Sequence, residues 1–259
     1  MDRSLLFANR DERPLDTLAP DGGYCAIFRT ICCIGDSLSS GEFELFDADG
    51  NRSYYDIYEQ SWGQYIARRT GAKVYNFSRG GLTAREFLEA YADEHACYEK
   101  EKACQAYMIA LGVNDLIYRR ETAVGTKADL REEGDKNTFA WQMGEIVRRF
   151  RNISPQAKFF FLTMPRDSTD AWTNGRQDAH RALLYDMTKV FSDSYVIDLR
   201  EYAPAYDEVF KEVYFLNGHL SPMGYKLTAD FVMSYVDYII RHNYGQFKLA
   251  GLINRKILR

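Results

Sequence analysis

Short apolar runs alternate with longer amphipathic stretches along the whole chain. This rhythm signals βαβ units and a parallel sheet. The runs predict strands over 30–34, 73–77, 106–111, 158–163 and 195–199. Each is nearly continuous in apolar residues, as strands buried on both faces should be. Between them lie helix candidates at 54–70, 83–94, 138–152, 176–191 and 223–242. The third carries Phe139, Met143, Ile146, Val147 and Phe150 at helical spacing. The last carries Leu227, Phe231, Val232, Tyr235 and Ile239 in the same way. Gly71 stands where the first should end and Thr83 where the second should begin, in keeping with C-cap and N-cap chemistry. Two regions break the rhythm, 41–53 (acidic and rich in turn residues) and 118–136 (charged). Both read as surface loops, and both follow the carboxyl end of a strand, the edge where open α/β sheets bind ligands. The tail 245–259 interleaves Lys248, Arg255, Lys256 and Arg259 with Leu and Ile. It is expected to pack back on the body or to form a subunit contact. The pattern predicts a single domain over 1–259, with a core at about 30–243 and extensions at 1–29 and 244–259.

Composition narrows the class. The 259 residues are 46% hydrophobic and 27% charged, an ordinary globular balance. A chain of this length buries roughly three quarters of its unfolded surface and needs no disulfide or metal to hold a core. The net charge of −4 argues against a nucleic-acid binder, which would show a basic face. No run approaches the roughly 18 apolar residues of a membrane span. The apolar stretch Leu5-Leu6-Phe7-Ala8 is too short for a signal-peptide core, so the expected location is cytoplasmic. Cys25, Cys32, Cys33, Cys97 and Cys104 are an odd set without partner His at metal spacing, and they read as reduced thiols.

Four short segments carry chemistry. Gly35-Asp36-Ser37-Leu38 closes the first strand and puts a hydroxyl at the carboxyl edge of the sheet. Asn76-Phe77-Ser78-Arg79-Gly80-Gly81-Leu82-Thr83 follows the second strand and offers backbone N–H groups at two glycines. Gly112-Val113-Asn114-Asp115 follows the third, and Asn114 offers an amide donor. Asn217-Gly218-His219-Leu220 precedes the final helix and offers an imidazole. Each segment alone is weak. Their conjunction, in this order at successive sheet-edge loops, is specific.

On these four segments the chain resembles the SGNH/GDSL hydrolase family over most of its length. Gly81 is favoured over Gly80 because Thr83 lies two later and Asn76 five earlier. The resemblance implies a flavodoxin-like three-layer αβα sandwich with a five-stranded parallel sheet. It implies a carboxylic-ester hydrolase in which Ser37 is the nucleophile and His219 its base. The Ser37 and Gly81 N–H groups and the Asn114 side chain would form the oxyanion hole. That division of labour suits the residue types. A serine hydroxyl needs an adjacent base, His titrates in the right range, and fixed donors stabilise the developing oxyanion. The resemblance implies no metal and no cofactor. The partner it implies is a small-molecule ester, with small acyl esters, including acetylated sugars, as the expected substrates. Two alternatives are an acyltransferase running the same acyl-enzyme, and a catalytically silent carbohydrate- or lipid-binding member.

The match fails at one place. The family usually puts an Asp three residues before the His, and here that residue is Leu216. The main-chain carbonyl of Leu216 could hold the imidazole, giving a Ser-His dyad. A carboxylate from another segment, Glu212 or Asp207, could reach in. Asn217 could tie the loop, although Asn-Gly is ordinary turn chemistry. Asp36 is expected to tie the elbow backbone and Asp115 to order its loop. Arg79, Asp115 and Trp172 are candidates for the substrate pocket. His95, His180 and His242 read as helix-surface residues, and Trp62 as core.

Overall fold

The computed structural model describes residues 11–120, 122–167 and 169–256. In chain order its strands are β1 (Thr30–Gly35), β2 (Glu42–Phe46), β3 (Arg52–Asp56), β4 (Lys73–Ser78), β5 (Ala106–Ala110), β6 (Lys158–Leu162), β7 (Ser194–Ile197), β8 (Phe215–Leu216) and β9 (His219–Leu220). Five of them form one sheet in the order β4-β1-β5-β6-β7, parallel throughout. The helices are α1 (Ser37–Ser40), α2 (Trp62–Thr70), α3 (Ala84–Glu86), α4 (Ala92–Glu94), α5 (Phe139–Ile153), α6 (Ala171–Val190), α7 (Leu199–Tyr202), α8 (Glu208–Tyr214), α9 (Pro222–His242) and α10 (Tyr244–Phe247). A π-helical segment, Phe87–Tyr91, joins α3 to α4.

Period-two alternation along the strands divides the core into two layers. Cys32, Ile34, Tyr107, Ile109, Phe159 and Phe161 face a cluster built with α5 and α6. Ile31, Cys33, Met108, Phe160 and Leu162 face a second cluster built with α2 and α9. The result is the αβα sandwich that the sequence rhythm and the family resemblance led us to expect. Helix starts follow the side-chain caps: Thr83 and Glu86 form a capping box, and Thr138 accepts from the Trp141 N–H. All five cysteines are free and buried.

Three readings of the sequence need correction. Residues 54–57 are not helical, and Tyr58–Gln60 forms only a separate 3-10 turn. Helix α2 begins at Trp62, where the Ser61 side chain accepts from the Gln64 N–H, and residues 52–56 pair antiparallel with 42–46. The acidic loop is therefore a hairpin. At its turn one Asp47 oxygen accepts the Asp49 and Asn51 N–H groups, and Gly50 sits at φ +81°. Helix α6 begins at Ala171 rather than 176, because Asp170 caps the Thr173 N–H. His180 is buried, not on the surface. It packs against Phe139 beneath Gly112, where φ is +129° and an added Cβ would press on the ring at 3.0 Å.

The tail packs on the body. The Gln105 side chain donates to the carbonyls of Gly251 and Ile253, both at 2.9 Å. Arg259 lies outside the described residues. The N-terminal extension is tied to α9 by the Tyr24 N–H on Asp237 and the Ala19 N–H on Ser234. No described helix is long and apolar enough to cross a membrane.

Candidate active site

Strand β1 ends at Gly35, where an added Cβ would collide with the Ser39 hydroxyl. That close approach lets the chain turn at once into α1. Asp36 caps it, its side chain accepting the Leu38 N–H at 3.1 Å. Ser37 is thus presented at the carboxyl edge of the sheet, as the first residue of α1. Parallel register sets Gly35 beside Ser78 of β4 on one side and Ala110 of β5 on the other. The loops after β4 and β5 must therefore flank Ser37. They bring Gly81 (φ +70°) and Asn114, and all three line one cleft of about 630 Å³. The Asn114 amide also donates to the Leu82 carbonyl at 3.3 Å, and Arg119 holds the Gly81 carbonyl at 2.9 Å. These bonds fix both donors relative to one another.

His219 reaches the same cleft from β9. It follows a two-residue turn in which Asn217 adopts φ +57°, a conformation asparagine tolerates well. The Asn217 side chain donates to the Glu44 carbonyl at 2.7 Å, and the Gly218 N–H donates to the Glu44 carboxylate at 2.7 Å. The His219 turn is therefore stitched to the β2–β3 hairpin. Two carboxylates of that hairpin face the imidazole. Glu42 Oε1 is 3.0 Å from Nε2, and Glu44 Oε2 is 3.6 Å from Nδ1. Tyr54 of β3 packs edge-on to the ring, 5.7 Å between centroids.

The electrostatics follow from these contacts. Burial works against a charged imidazole, but Glu42 and then Glu44 outweigh it and hold His219 above its ordinary range. Burial also works against the Glu44 carboxylate. The Gly218 N–H, Arg52 and His219 outweigh it and hold Glu44 below the usual range. Behind the site, burial pushes Asp36 and Asp115 up to about 7.

The supporting groups expected from sequence sit elsewhere. Asp207 caps α8 through the Phe210 N–H, and Glu212 is exposed on α8. Leu216 pairs with His219 across β8 and β9, but His219 Nδ1 has no hydrogen-bond partner among the described residues. Asn217 does act on the loop, through the hairpin. The three pocket candidates lie off the cleft. Arg79 bonds Glu86 and covers the Tyr91 ring. Asp115 is buried and accepts the Ala84 N–H, ordering the loops as expected. Trp172 lies in the first turn of α6, flanked by Arg120 and Arg176. Glu42, Glu44 and Tyr54 escaped the sequence reading. Their signal was the alternation Glu42-Phe43-Glu44 before an Asp-Gly turn, with Tyr54 on the returning strand.

Among the described residues no cluster of His, Cys, Asp and Glu could hold a metal ion. No curated protein matches the chain significantly by sequence. Solved structures do share its fold. A family two carbohydrate esterase from Clostridium thermocellum, solved with cellohexaose, superposes with a TM-score of 0.59 at 16% identity, over 84% of this chain and 65% of that one. A G-D-S-L family protein from Desulfitobacterium hafniense gives 0.53 at 16% identity, over 80% of this chain and 99% of that one. A psychrotrophic esterase from Pseudoalteromonas gives 0.52 at 14% identity, over 82% and 98%. At these identities the likeness shows the fold alone. The sequence itself matches the GDSL-like lipase/acylhydrolase family over residues 33–227, a span that holds Ser37, Gly81, Asn114 and His219, and the chain belongs to that family.

Proposed function

We propose that this protein is a serine esterase that removes short acyl groups from a bulkier alcohol, with acetylated carbohydrates as the favoured class. The observation that carries the reading is the gathering of Ser37, Gly81, Asn114 and His219 from four separate loops onto one cleft. Ser37 Oγ attacks the ester carbonyl and its proton passes to His219. The Ser37 N–H, the Gly81 N–H and the Asn114 amide hold the oxyanion. The ester C–O bond then breaks and His219 returns the proton to the leaving alkoxide, which departs as the alcohol. Water attacks the acyl-serine, giving its proton to His219. The acid leaves and Ser37 recovers its proton. Atoms and protons balance without a further reactant.

Substrate shape supports the small acyl group. A second cavity of about 80 Å³ adjoins the cleft, sharing Leu38 and Val113 with it, and is walled by Leu162, Met164 and Leu199. It suits a short chain. The main cleft is far wider, and exposed Tyr54 and Tyr118 line it. Rigid amphipathic rings of that kind suit the face of a sugar.

The test is turnover of p-nitrophenyl acetate, butyrate and octanoate by wild type beside Ser37→Ala, over pH 5 to 9. The expected result is Ser37-dependent turnover that falls from acetate and butyrate to octanoate. Equal trace rates in both proteins would overturn the reading.

A further inference from the structure

The missing acid before His219 has a replacement far away in sequence. We infer that Glu44, on a hairpin inserted directly after the nucleophile, is the positioning residue that takes the place of the usual Asp, resting on the Ser37–His219 reading above.

The geometry separates the two ring nitrogens. Nδ1 is buried, without a hydrogen-bond partner among the described residues, and faces Glu44 Oε2 at 3.6 Å. Nε2 faces the cleft, where Glu42 stands at 3.0 Å. A serine esterase needs one nitrogen held from behind and the other available to the serine proton, and Glu44 is the carboxylate on the rear side. Glu44 is equipped to hold. Its side chain is only 7% exposed. One oxygen accepts the Gly218 N–H at 2.7 Å and also faces Nδ1, and the other accepts from Arg52 at 3.2 Å. A carboxylate already bonded to the residue beside the imidazole needs a shift of only about half an ångström to reach ordinary hydrogen-bond range.

Glu42 shares the face of β2 with Glu44, because residues two apart in a strand point the same way. Its carboxylate lies directly over Gly80, where an added Cβ would push it aside. It lines the cleft, and Glu44 does not. Glu42 therefore stands at the nitrogen that must take the Ser37 proton, and turnover requires it to give way. The hairpin is rooted where the nucleophile is. The Tyr225 hydroxyl lies 2.9 Å from the Ser37 carbonyl and 2.8 Å from the Glu42 carbonyl, sharing its proton between them. Gly41, at φ +92°, has no room for a side chain against the Ile57 carbonyl. Other charged or titratable groups that act on this cluster are Asp36, Arg52 and Tyr54.

The experiment compares Glu44→Gln with Glu42→Gln, reading kcat and KM over pH 5 to 9 together with an NMR titration of the His219 ring nitrogens. Glutamine keeps the shape at position 44 and removes the charge, and a third variant, Glu44→Ala, removes the oxygen that faces both the Gly218 N–H and Nδ1. The expected result is a kcat loss of about 10²-fold or more for Glu44→Gln, toward the ~10⁴ known for loss of a triad acid, with little change in KM. The Glu44→Gln loss should exceed the Glu42→Gln loss at least tenfold. Both glutamine variants should move the His219 titration to lower pH, and Glu44→Ala, which removes the acceptor, should also lose the Nδ1–H tautomer of the neutral ring. The reverse ranking makes Glu42 the supporting acid and overturns the inference, as does an unchanged tautomer in Glu44→Ala. If wild type shows no Ser37-dependent turnover, the esterase reading fails, and the tautomer measurement still decides the Glu44 contact.

Discussion

The two halves of the candidate active site are built in different ways. Ser37, Gly81 and Asn114 lie on the loops that follow three neighbouring parallel strands, and the sheet register alone sets them side by side. His219 comes from a two-residue turn whose fixed geometry depends on Glu44, about 175 positions earlier in the chain. The first half is a property of the sheet. The second is a property of the β2–β3 hairpin. The nucleophile and oxyanion donors should therefore tolerate changes in the hairpin, whereas the base should not.

The comparison can be broken most forcefully at Ser37. Ser37→Ala should lower kcat/KM for p-nitrophenyl acetate by at least about 10⁴-fold, because the proposed acyl-enzyme forms on Ser37. Its melting temperature should stay within a few degrees of wild type, as checked by circular dichroism. Asn114→Ala should lower kcat by about 10²–10³-fold with KM nearly constant, the usual cost of one oxyanion donor. A loss carried by KM instead would make Asn114 a ground-state binding group.

Gly218→Ala sharpens the contrast. Its Cβ would collide with the Glu44 carboxylate, displacing it from the Gly218 N–H and from Nδ1. A misplacement near 1 Å can cost about 10²-fold in rate, so kcat should fall by roughly ten- to a hundredfold. Labelling of Ser37 by a phosphonate ester should slow with it, since that reaction needs the same base. The smallest effect is on stability. Burial holds His180 down to about 4, below its ordinary value near 6.5. Between these values the unfolded chain binds a proton that the folded chain refuses, so stability is lost as pH falls from 6.5 toward 4, by up to about 3 kcal/mol. Asp36 and Asp115, pushed up to about 7, act oppositely over the same window. The difference between wild type and His180→Leu in denaturant melts at pH 7 and pH 4.5 isolates the histidine, and the variant should lose less on acidification.

How legible these parts were in the sequence follows from how local their causes are. The strands declared themselves because burial on both faces demands continuous apolar runs. Ser37, Gly81 and Asn114 were legible because each directly follows such a run. The hairpin was not. Glu44, Leu45 and Phe46 do not announce a strand buried on one side, since Phe43 is buried while Leu45 and Phe46 are exposed. Tyr54 and Tyr55 look as much like the start of a helix as the end of a strand. The pairing partner that settles the matter lies across the turn at Asp49-Gly50. The acid for His219 was sought near it in sequence, at Asp207 and Glu212, because the family pattern is local there. Here the contact is long-range, and only the folded chain brings Glu44 beside Nδ1. Trp172 was misplaced for a smaller reason, because the Asp170 cap extends α6 by five residues.

The central claim is that Glu44 acts on the reaction through His219. A double-mutant cycle tests it most directly, with kcat/KM for p-nitrophenyl acetate measured for wild type, Glu44→Gln, His219→Ala and the double variant. The account predicts that the full Glu44→Gln loss disappears once His219 is alanine, so that the double variant is no slower than His219→Ala alone. Losses that multiply across the two positions would contradict it, because Glu44 would then be acting on something other than the imidazole.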